Sequence, residues 1–249
     1  MATGVLPVFV GQATRAVSFA EDGQKEYVAG LRLGRTTDTQ DTSGETLGTH
    51  PVLTDREDLL HLLPRFTGPI EQVPPMYSAI KINGQKLYDL ARKGREVERA
   101  PRPVTIHALE LEDQLGPDEF LLRVRCSKGT YVRTLCHDIG AALGCGGCMS
   151  SLRRTMAAGF TLADSVTLDA VLQADDPAAL LLPVDAYFSG YPDLVADPEQ
   201  EKRIRNGAAL PMPGLPDGRY RVYGQDGTFL ALSQGENGVL TTVKSFYEV

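Results

Sequence analysis

The sequence lacks the long apolar runs, the leader and the cysteine framework that would direct a protein into or across a membrane. None of the apolar runs in the 249 residues approaches the roughly 20 residues that a membrane-spanning helix needs. Residues 1–4 lack the basic-then-apolar layout of a signal peptide. The four cysteines are scattered, which is typical of a reducing compartment. We therefore expect a soluble, cytoplasmic protein with no membrane partner.

An excess of positive charge is also missing, since the formal net charge is -7. This argues against non-specific binding of nucleic acid by the whole surface. Residues 81–107 are the exception, with seven basic side chains against three acidic ones. The basic residues are Lys81, Lys86, Arg92, Lys93, Arg95, Arg99 and Arg102. Such a segment is either a solvated charged face or a local grip on phosphates.

Residues 128–135, in the middle of the chain, lie where one hydrophobic period gives way to another. Residues 120–126 alternate apolar and basic side chains, which predicts a half-buried strand. From Val132 the apolar residues recur at helical spacing, and Gly144 is a suitable C-terminal stop. Tyr131 and Arg133 therefore lie at a predicted strand-to-helix corner, where a cation suits an anion or an acidic side chain.

Further patterns predict the remaining elements. Residues 5–10 form an apolar run that predicts a buried strand, and residues 25–33 alternate with Tyr27 on the apolar face. Residues 54–57 have the pattern of a capping box before a short helix. The tail beyond residue 198 predicts a compact β module with three strands separated by glycine-containing turns.

Three groups of residues allow two interpretations each. Asp38 and Asp41 lie in a polar, turn-rich segment, where they either cap turns or bind a cation that a metal-dependent hydrolase would use. The segment Cys145–Cys148 has the spacing of a redox or zinc half-site but no second pair, which favours a structural role. Arg153 and Arg154 are either surface charges or phosphate contacts.

Five blocks of sequence, in the same order along the chain, together resemble the bacterial tRNA pseudouridine synthase B family. The blocks are residues 2–8 (ATGVLPV), 25–27 (KEY) with 33–39 (LGRTTDT), 74–81 (PPMYSAIK), 127–135 (SKGTYVRTL) and 152–154 (LRR). Each block is weak by itself, whereas five in the family's order are specific.

The resemblance implies a mixed α/β (α+β) fold with a central antiparallel sheet. It places a pseudouridine synthase catalytic domain at residues 1–186, with an RNA-clasping insertion at about 65–103. Residues 190–249 resemble, more loosely, a small C-terminal PUA-like RNA-binding β domain.

The resemblance also implies the isomerisation of uridine to pseudouridine at position 55, in the T loop of tRNA. The reaction is redox-neutral and needs neither cofactor nor metal. The uridine must first be flipped out of the folded loop into a closed pocket. The T arm of tRNA is the implied partner, no protein partner is implied, and the family favours a monomer.

Individual roles follow from the same resemblance. Tyr27 matches the tyrosine that stacks on the uracil and takes the proton from C5, and Arg133 matches the arginine that pairs with the catalytic carboxylate. Tyr131 and Leu152 match an aromatic and an apolar residue of the pocket, with Lys128 and Asp38 in support. The residues expected to bind RNA are Lys81, Lys86, Arg92, Lys93, Arg153 and Arg154.

One feature departs from the family's pattern. The family's nucleophilic aspartate belongs to a loop of the form Gly-Thr-Leu-Asp-Pro-x, in which Met1 occupies position x, so that the aspartate would fall two residues before Met1. Either the sequence starts at an internal methionine of a longer enzyme, or the short form is real and has no synthase activity. The alternative function is a catalytically silent protein that binds tRNA and helps it fold.

Overall fold

Sixteen strands and six α-helices make up the part of the chain that the computed structural model describes, which is residues 2–21 and 23–247. The strands are β1 (Thr3–Gly4), β2 (Lys25–Leu33), β3 (Arg35–Thr37), β4 (Thr46–Thr49), β5 (Gly68–Gln72), β6 (Lys81–Ile82), β7 (Gln85–Lys86), β8 (Arg102–Gly116), β9 (Glu119–Cys126), β10 (Gly147–Ala157), β11 (Phe160–Thr161), β12 (Asp193–Val195), β13 (Leu210–Pro211), β14 (Gly218–Tyr223), β15 (Phe229–Glu236) and β16 (Val239–Ser245). The α-helices are α1 (Val17–Glu21), α2 (Arg56–Leu62), α3 (Leu87–Ala91), α4 (Val132–Ala142), α5 (Leu168–Gln173) and α6 (Pro198–Arg205).

The described residues form two compact units. Residues 2–6 and 23–164 belong to the first unit, and residues 7–21 and 165–247 belong to the second. The boundary between the two units, after residue 164, lies closer to the N-terminus than the domain boundary predicted between residues 186 and 190. The predicted domain limits, which refer to family modules, remain a prediction.

A seven-stranded sheet organises the first unit, in the order β1-β10-β2-β9-β8-β5 with β11 added to β10. Neighbouring strands are antiparallel except for β1, which pairs in parallel with β10. The mixed α/β fold with a central antiparallel sheet is therefore confirmed. The strands predicted at residues 25–33 and 119–126 are adjacent, as β2 and β9.

One face of this sheet forms the main core. Ala29, Leu31 and Leu33 of β2 are 0–1% exposed, as their alternation predicts. Helix α4 covers this face with its own apolar side, and its buried residues include Leu135 and Ile139. The predicted helix after the central corner is thus confirmed. It ends just before Gly144, which has φ +78°, a conformation that suits a helix C-terminus.

Helix α4 and strand β10 approach to backbone contact. A Cβ on Gly140 would overlap the backbone of Gly146 and Gly147. A Cβ on Gly147 would in turn lie 3.0 Å from the carbonyl oxygen of Cys136. Glycine at both positions therefore lets the helix lie directly on the strand.

The predicted buried strand at residues 5–10 is wrong. The register with β10 covers Thr3 and Gly4, and the N–H of Val5 donates to the carbonyl oxygen of Arg154. Val5 is the one residue of this run that is buried. Leu6 and Val8 are 72% and 71% exposed. Pro7 has no N–H to donate to a ladder, which limits the pairing that this run can support.

The capping box of α2 is displaced by one residue from its predicted place. The N-cap is Asp55, whose carboxylate accepts hydrogen bonds from the backbone N–H groups of Glu57 and Asp58. The reciprocal bond runs from the N–H of Asp55 to the carboxylate of Asp58. Aspartate at both positions satisfies the same geometry as the expected Thr54 and Glu57.

The second unit contains a five-stranded sheet in the order β12-β14-β15-β16-β13. The predicted tail strands are confirmed as β14, β15 and β16. Its main core includes Ile204, Val222 and Leu230. A further cluster joins Phe188 with Leu232, Phe246 and Ala16, so that residues 7–21 contribute to this unit.

All four cysteines are free and buried. Burial raises the pKa of the Cys136 thiol to about 12, so it stays protonated at neutral pH. Cys145 lies in the turn before β10 and Cys148 is the second residue of that strand. None of the helices among residues 2–21 and 23–247 combines the length and apolar content needed to cross a membrane.

Candidate active site

The corner between β9 and α4 is a turn followed directly by the helix. Gly129 has φ +79°, a conformation that suits glycine, and the exposed Lys128 precedes it. Tyr131 is the N-cap residue and has an extended backbone. Arg133 is the second residue of the helix, so the rigid core face of α4 fixes where its side chain begins.

The Arg133 guanidinium joins two loops to this helix. Its NH1 donates to the carbonyl oxygen of Thr39 at 3.1 Å, and its NH2 donates to the carbonyl oxygen of Tyr77 at 2.7 Å. The same NH1 lies 3.4 Å from Oδ2 of Asp41. Side-chain exposures of 24% for Arg133 and 20% for Asp41 make this a partly desolvated ion pair.

Asp41 is held in its ionised form. Burial raises the pKa of its carboxyl, but hydrogen bonds from Ser43 and Thr39 and the charge of Arg133 outweigh burial, so the net pKa is lowered. The Oγ1 of Thr39 donates to Oδ1 of Asp41 at 2.9 Å, and the backbone N–H of Ser43 donates to the same oxygen at 3.1 Å. The carboxylate therefore keeps its charge beside the arginine at neutral pH.

Asp38 lies next to this ion pair. Its Oδ1 accepts the backbone N–H of Glu45 at 2.8 Å, and its Oδ2 accepts the hydroxyl of Tyr77 at 3.3 Å. Tyr77 thus contacts Asp38 through its side chain and Arg133 through its carbonyl. Within the described residues, no group of three or more His, Cys, Asp or Glu side chains is placed to hold a metal ion.

From the sequence, Asp38 was expected to have a supporting role, and Asp41 to be a turn cap or a cation ligand. The structure shows that Asp41 is the aspartate in ionic contact with Arg133. The presence of two aspartates in residues 38–41 was the sequence feature that could have indicated an acidic partner for Arg133. To choose between Asp38 and Asp41 as the partner of Arg133, one must know which of the two carboxylates faces α4.

Tyr27 lies half-buried on β2, on the core face of the sheet. Its cross-strand neighbours are Arg154 on β10 and Val124 on β9. Burial raises the pKa of the Tyr27 phenol, assisted by Cys126 and opposed by the charge and hydrogen bond of Arg154. The phenol is therefore protonated at neutral pH and hydrogen-bonded to a guanidinium.

Leu152 lies on the same face as Tyr27, directly across from Ala29. Both Tyr27 and Leu152 pack against the core cluster that includes Val132 and Leu135 of α4. The structure thus places Tyr27 and Leu152 on the sheet face that α4 covers, and Tyr131 and Arg133 at the N-terminal end of that helix.

Arg153 and Arg154 point to opposite faces of the sheet, since successive residues of β10 alternate. Arg154 lies beside Tyr27 and donates to the carbonyl oxygen of Val5 at 2.6 Å. Arg153 lines a cleft of about 650 Å³ on the other face, together with the acidic Glu26 and Glu112. The predicted RNA contacts of the two arginines therefore belong to separate surfaces.

Two of the predicted RNA-binding residues, Lys86 and Arg92, lie against the aromatic ring of Tyr88. The Nζ of Lys86 is 2.9 Å from the Tyr88 hydroxyl, and Cζ of Arg92 is 5.3 Å from the centre of the ring. Lys93 follows in an exposed turn, and Lys81 is exposed on β6. Cations on an aromatic platform suit phosphates and bases.

Solved structures share the fold of this chain. A crystal structure described as a Cbf5-Nop10-Gar1 complex matches with a TM-score of 0.68 at 22% identity, covering 99% of this chain and 73% of that one. A second, described as an H/ACA RNP bound to a substrate RNA containing 2′-deoxyuridine, matches with a TM-score of 0.69 at 20% identity and the same coverage. At these identities the likeness defines the fold.

Family models identify the chain more closely. Residues 1–132 match the N-terminal domain of the TruB family pseudouridylate synthases, and residues 133–189 match the tRNA pseudouridylate synthase B C-terminal domain. The chain therefore belongs to the TruB family of pseudouridylate synthases, which are isomerases.

Curated relatives agree with this family. A protein named tRNA pseudouridine synthase B from Clostridium kluyveri is 39% identical, with 99% of this chain and 86% of the relative covered. Another of the same name from an Azoarcus species is 47% identical, with 96% and 80% covered. The predicted resemblance to this family is confirmed.

Proposed function

We propose that this protein isomerises uridine 55 in the T loop of tRNA to pseudouridine. The relatives that share its sequence along most of its length are named tRNA pseudouridine synthase B, which supports tRNA as the substrate. The observation that carries the proposal is Arg133, held by two loops at the start of the helix that covers Tyr27 and Leu152. The reaction breaks the N1 glycosidic bond, turns the uracil and joins it to the sugar through C5. It needs no cofactor.

In this proposal the pocket receives a uridine that has been flipped out of the T loop. Tyr27 stacks on the uracil, and its phenolate form takes the proton from C5. The charge of the neighbouring Arg154 favours that form against burial, while Leu152 forms an apolar wall. Tyr131 supplies a second aromatic surface, and Lys128 and Asp38 support the arrangement. The half-buried Tyr27 is held rigidly between two strands, as a stacking partner must be.

We propose that Arg133 keeps a nucleophilic aspartate ionised and aimed at the sugar. The family pattern places that aspartate two residues before Met1. Asp41 is less suited to this role because its carboxylate already accepts hydrogen bonds from Thr39 and Ser43 and pairs with Arg133. It serves instead to hold the arginine.

The T arm is the part of tRNA that we expect the insertion at about 65–103 to clasp. Lys81, Lys86, Arg92 and Lys93 lie in this segment, and Arg153 and Arg154 lie on the sheet. The C-terminal β domain at 190–249 adds a second RNA-binding surface.

A cytoplasmic location and a monomeric state remain predictions. Activity of the purified extended chain, in which Gly-Thr-Leu-Asp-Pro precedes Met1, without other proteins would test the predicted lack of a protein partner.

Release of tritium from tRNA labelled at C5 of uridine tests the proposed reaction. We expect release with a chain in which Gly-Thr-Leu-Asp-Pro precedes Met1, and none when that aspartate is changed to asparagine or with the 249 residues alone. A tRNA with cytidine at position 55 is the substrate control. Turnover by the 249 residues alone would place the nucleophile elsewhere, and no turnover by the extended chain would refute the function.

A second function, tRNA binding without chemistry, is supported by the cations around Tyr88, which need no nucleophile to bind RNA. In that case T-arm RNA binds the chain and Tyr27→Ala or Lys81→Ala weakens binding, while no isomerised product forms with either chain length. A chelator leaves both functions unaffected, whereas a metal-dependent hydrolase would lose activity.

A further inference from the structure

Gln72 is a polar residue buried at the end of a strand. It is the last residue of β5, and only 2% of its surface is exposed. A buried amide must find partners for both its donor and its acceptor, because an unsatisfied group costs free energy. The partners it finds belong to the corner that begins α4.

The Gln72 side chain makes a two-point contact with the Tyr131 backbone. Its Oε1 accepts the N–H of Tyr131 at 3.0 Å, and its Nε2 donates to the carbonyl oxygen of Tyr131 at 3.3 Å. A backbone residue in an antiparallel ladder exchanges the same pair of bonds with its neighbour. The same carbonyl also accepts the first hydrogen bond of the helix, from Leu135 at 3.0 Å.

The segment that follows Gln72 contacts the helix a second time. Arg133 donates to the carbonyl of Tyr77, five residues beyond Gln72. Between the two contacts lie Pro74 and Pro75, both buried, whose fixed φ angles stiffen the segment. Residues 72–77 therefore attach to the corner at Tyr131 and again at Arg133.

We propose that Gln72 is a positioning residue for pseudouridine formation, because its amide fixes the Tyr131 backbone and with it the ring of Tyr131 and the start of the helix that carries Arg133. This inference rests on the proposed function. Gln72 acts through Tyr131 and is not assigned a contact with the substrate. A loose corner would displace groups that must meet the reacting uridine, which affects kcat more than RNA binding.

The test compares Gln72→Met with Gln72→Glu in the extended, active chain. Methionine has a similar shape and makes neither hydrogen bond, so we expect kcat to fall about tenfold or more with little change in KM. Glutamate keeps an acceptor for the Tyr131 N–H, but as a carboxylate it places a buried, charged oxygen against the Tyr131 carbonyl, so its kcat should fall at least as far as that of Gln72→Met. Asp55→Ala is the matched control, since it removes side-chain hydrogen bonds from the start of α2 in the same unit. It should lower thermal stability and leave kcat unchanged.

Equal losses of kcat in Gln72→Met and Asp55→Ala would overturn the proposal, as would a change confined to KM. If the variant fails to fold, hydrogen exchange in the unmodified 249-residue chain decides the matter. The Tyr131 amide should exchange slowly, and fast exchange would show that Gln72 does not hold it. Hydrogen exchange does not depend on turnover. If the extended chain is inactive but its Tyr131 amide exchanges slowly, the proposed function is refuted, while the contact between Gln72 and the Tyr131 backbone is supported.

Discussion

Two groupings in this molecule combine the same residue types, an arginine, an aspartate and a tyrosine, in different ways. In the first unit Arg133 contacts Asp41 directly and bonds the main-chain carbonyl of Tyr77. In the second unit the Tyr223 hydroxyl accepts from Arg221 at 3.1 Å and donates to Asp185 at 2.6 Å. There the phenol connects the two charged groups, whose closest atoms are 3.9 Å apart.

The difference shows that neutral acceptors can fix the direction of an arginine in addition to its ionic partner. Carbonyl oxygens of Thr39 and Tyr77 fix the direction of Arg133 but carry no net charge. The Asp41 carboxylate also accepts hydrogen bonds from Ser43 and Thr39 of its own loop. We infer that the two loop carbonyls orient Arg133 for an incoming carboxylate, whereas Arg221 belongs to a structural network within the second unit.

The largest expected effect is that of Arg133→Lys in the extended chain. Lysine cannot reproduce the fork that bonds two carbonyls and a carboxylate, so kcat/KM should fall on the order of 100-fold. The matched Arg221→Lys should lower the melting temperature and leave turnover nearly unchanged. Tritium release and thermal melts measure the two quantities. Similar losses of turnover in both variants would contradict the distinction between the groupings.

Asp41→Asn should have a smaller effect on turnover. The amide keeps the size of the side chain but removes the ionic contact with Arg133, and we expect kcat to fall about tenfold because the arginine is less well aimed. Asp185→Asn provides the comparison in the second unit and should affect stability alone. An unchanged kcat in Asp41→Asn would mean that the two carbonyls suffice to hold Arg133.

Tyr223→Phe removes the connecting hydroxyl of the second grouping and should lower the free energy of unfolding by about 1 kcal/mol. Tyr220→Phe is its control, since that hydroxyl donates to a neutral carbonyl, that of Pro216, at 2.8 Å. Denaturant titration should show the smaller loss for Tyr220→Phe. Burial and the hydrogen bond to Asp185 raise the pKa of Tyr223 to about 12 from 10.0. The wild type should therefore be more stable than Tyr223→Phe below pH 10, and this difference in the free energy of unfolding should disappear as pH rises towards 12.

The smallest effect concerns acid stability in the first grouping. The pKa of Asp41 is below 3.8 in the folded chain, so its ionisation favours folding at neutral pH. The stability difference between the wild type and Asp41→Asn should be constant above about pH 5 and shrink as pH falls through the folded pKa. Unfolding measured at stepwise lower pH tests this. A difference that grows on acidification would show that the pKa is raised.

Local periodicity was sufficient to predict two of the elements that position the site, whereas β10, which carries Leu152, and β5, which ends at Gln72, were not predicted. Strand β2 alternates along its whole length, and α4 repeats apolar residues at helical spacing between a turn and a glycine. The run at residues 5–10 is just as apolar, yet it forms almost no sheet. Pairing depends on residues distant in sequence. Thr3 and Gly4 pair with β10, and within the run Val5 continues this contact by donating its N–H to the carbonyl oxygen of Arg154.

The site was predicted less completely than the fold, because the missed residues act through partners that are distant in sequence. Asp41 and Arg133 are separated by 92 residues, and Gln72 and Tyr131 by 59. A glutamine before a proline pair has no local pattern that marks it as buried. The motif residues themselves were identified from the family resemblance, and their catalytic roles remain proposals.

The backbone contact between Gly140 and Gly147 makes α4 a lever arm with a fixed fulcrum. Arg133 lies seven residues from Gly140, or about 10 Å along the helix axis at the usual rise per residue. A tilt of only about 6° at the fulcrum would carry the guanidinium roughly 1 Å sideways, enough to disturb a reaction that depends on alignment. Substitutions under the far end of this helix can therefore slow the enzyme without touching its pocket.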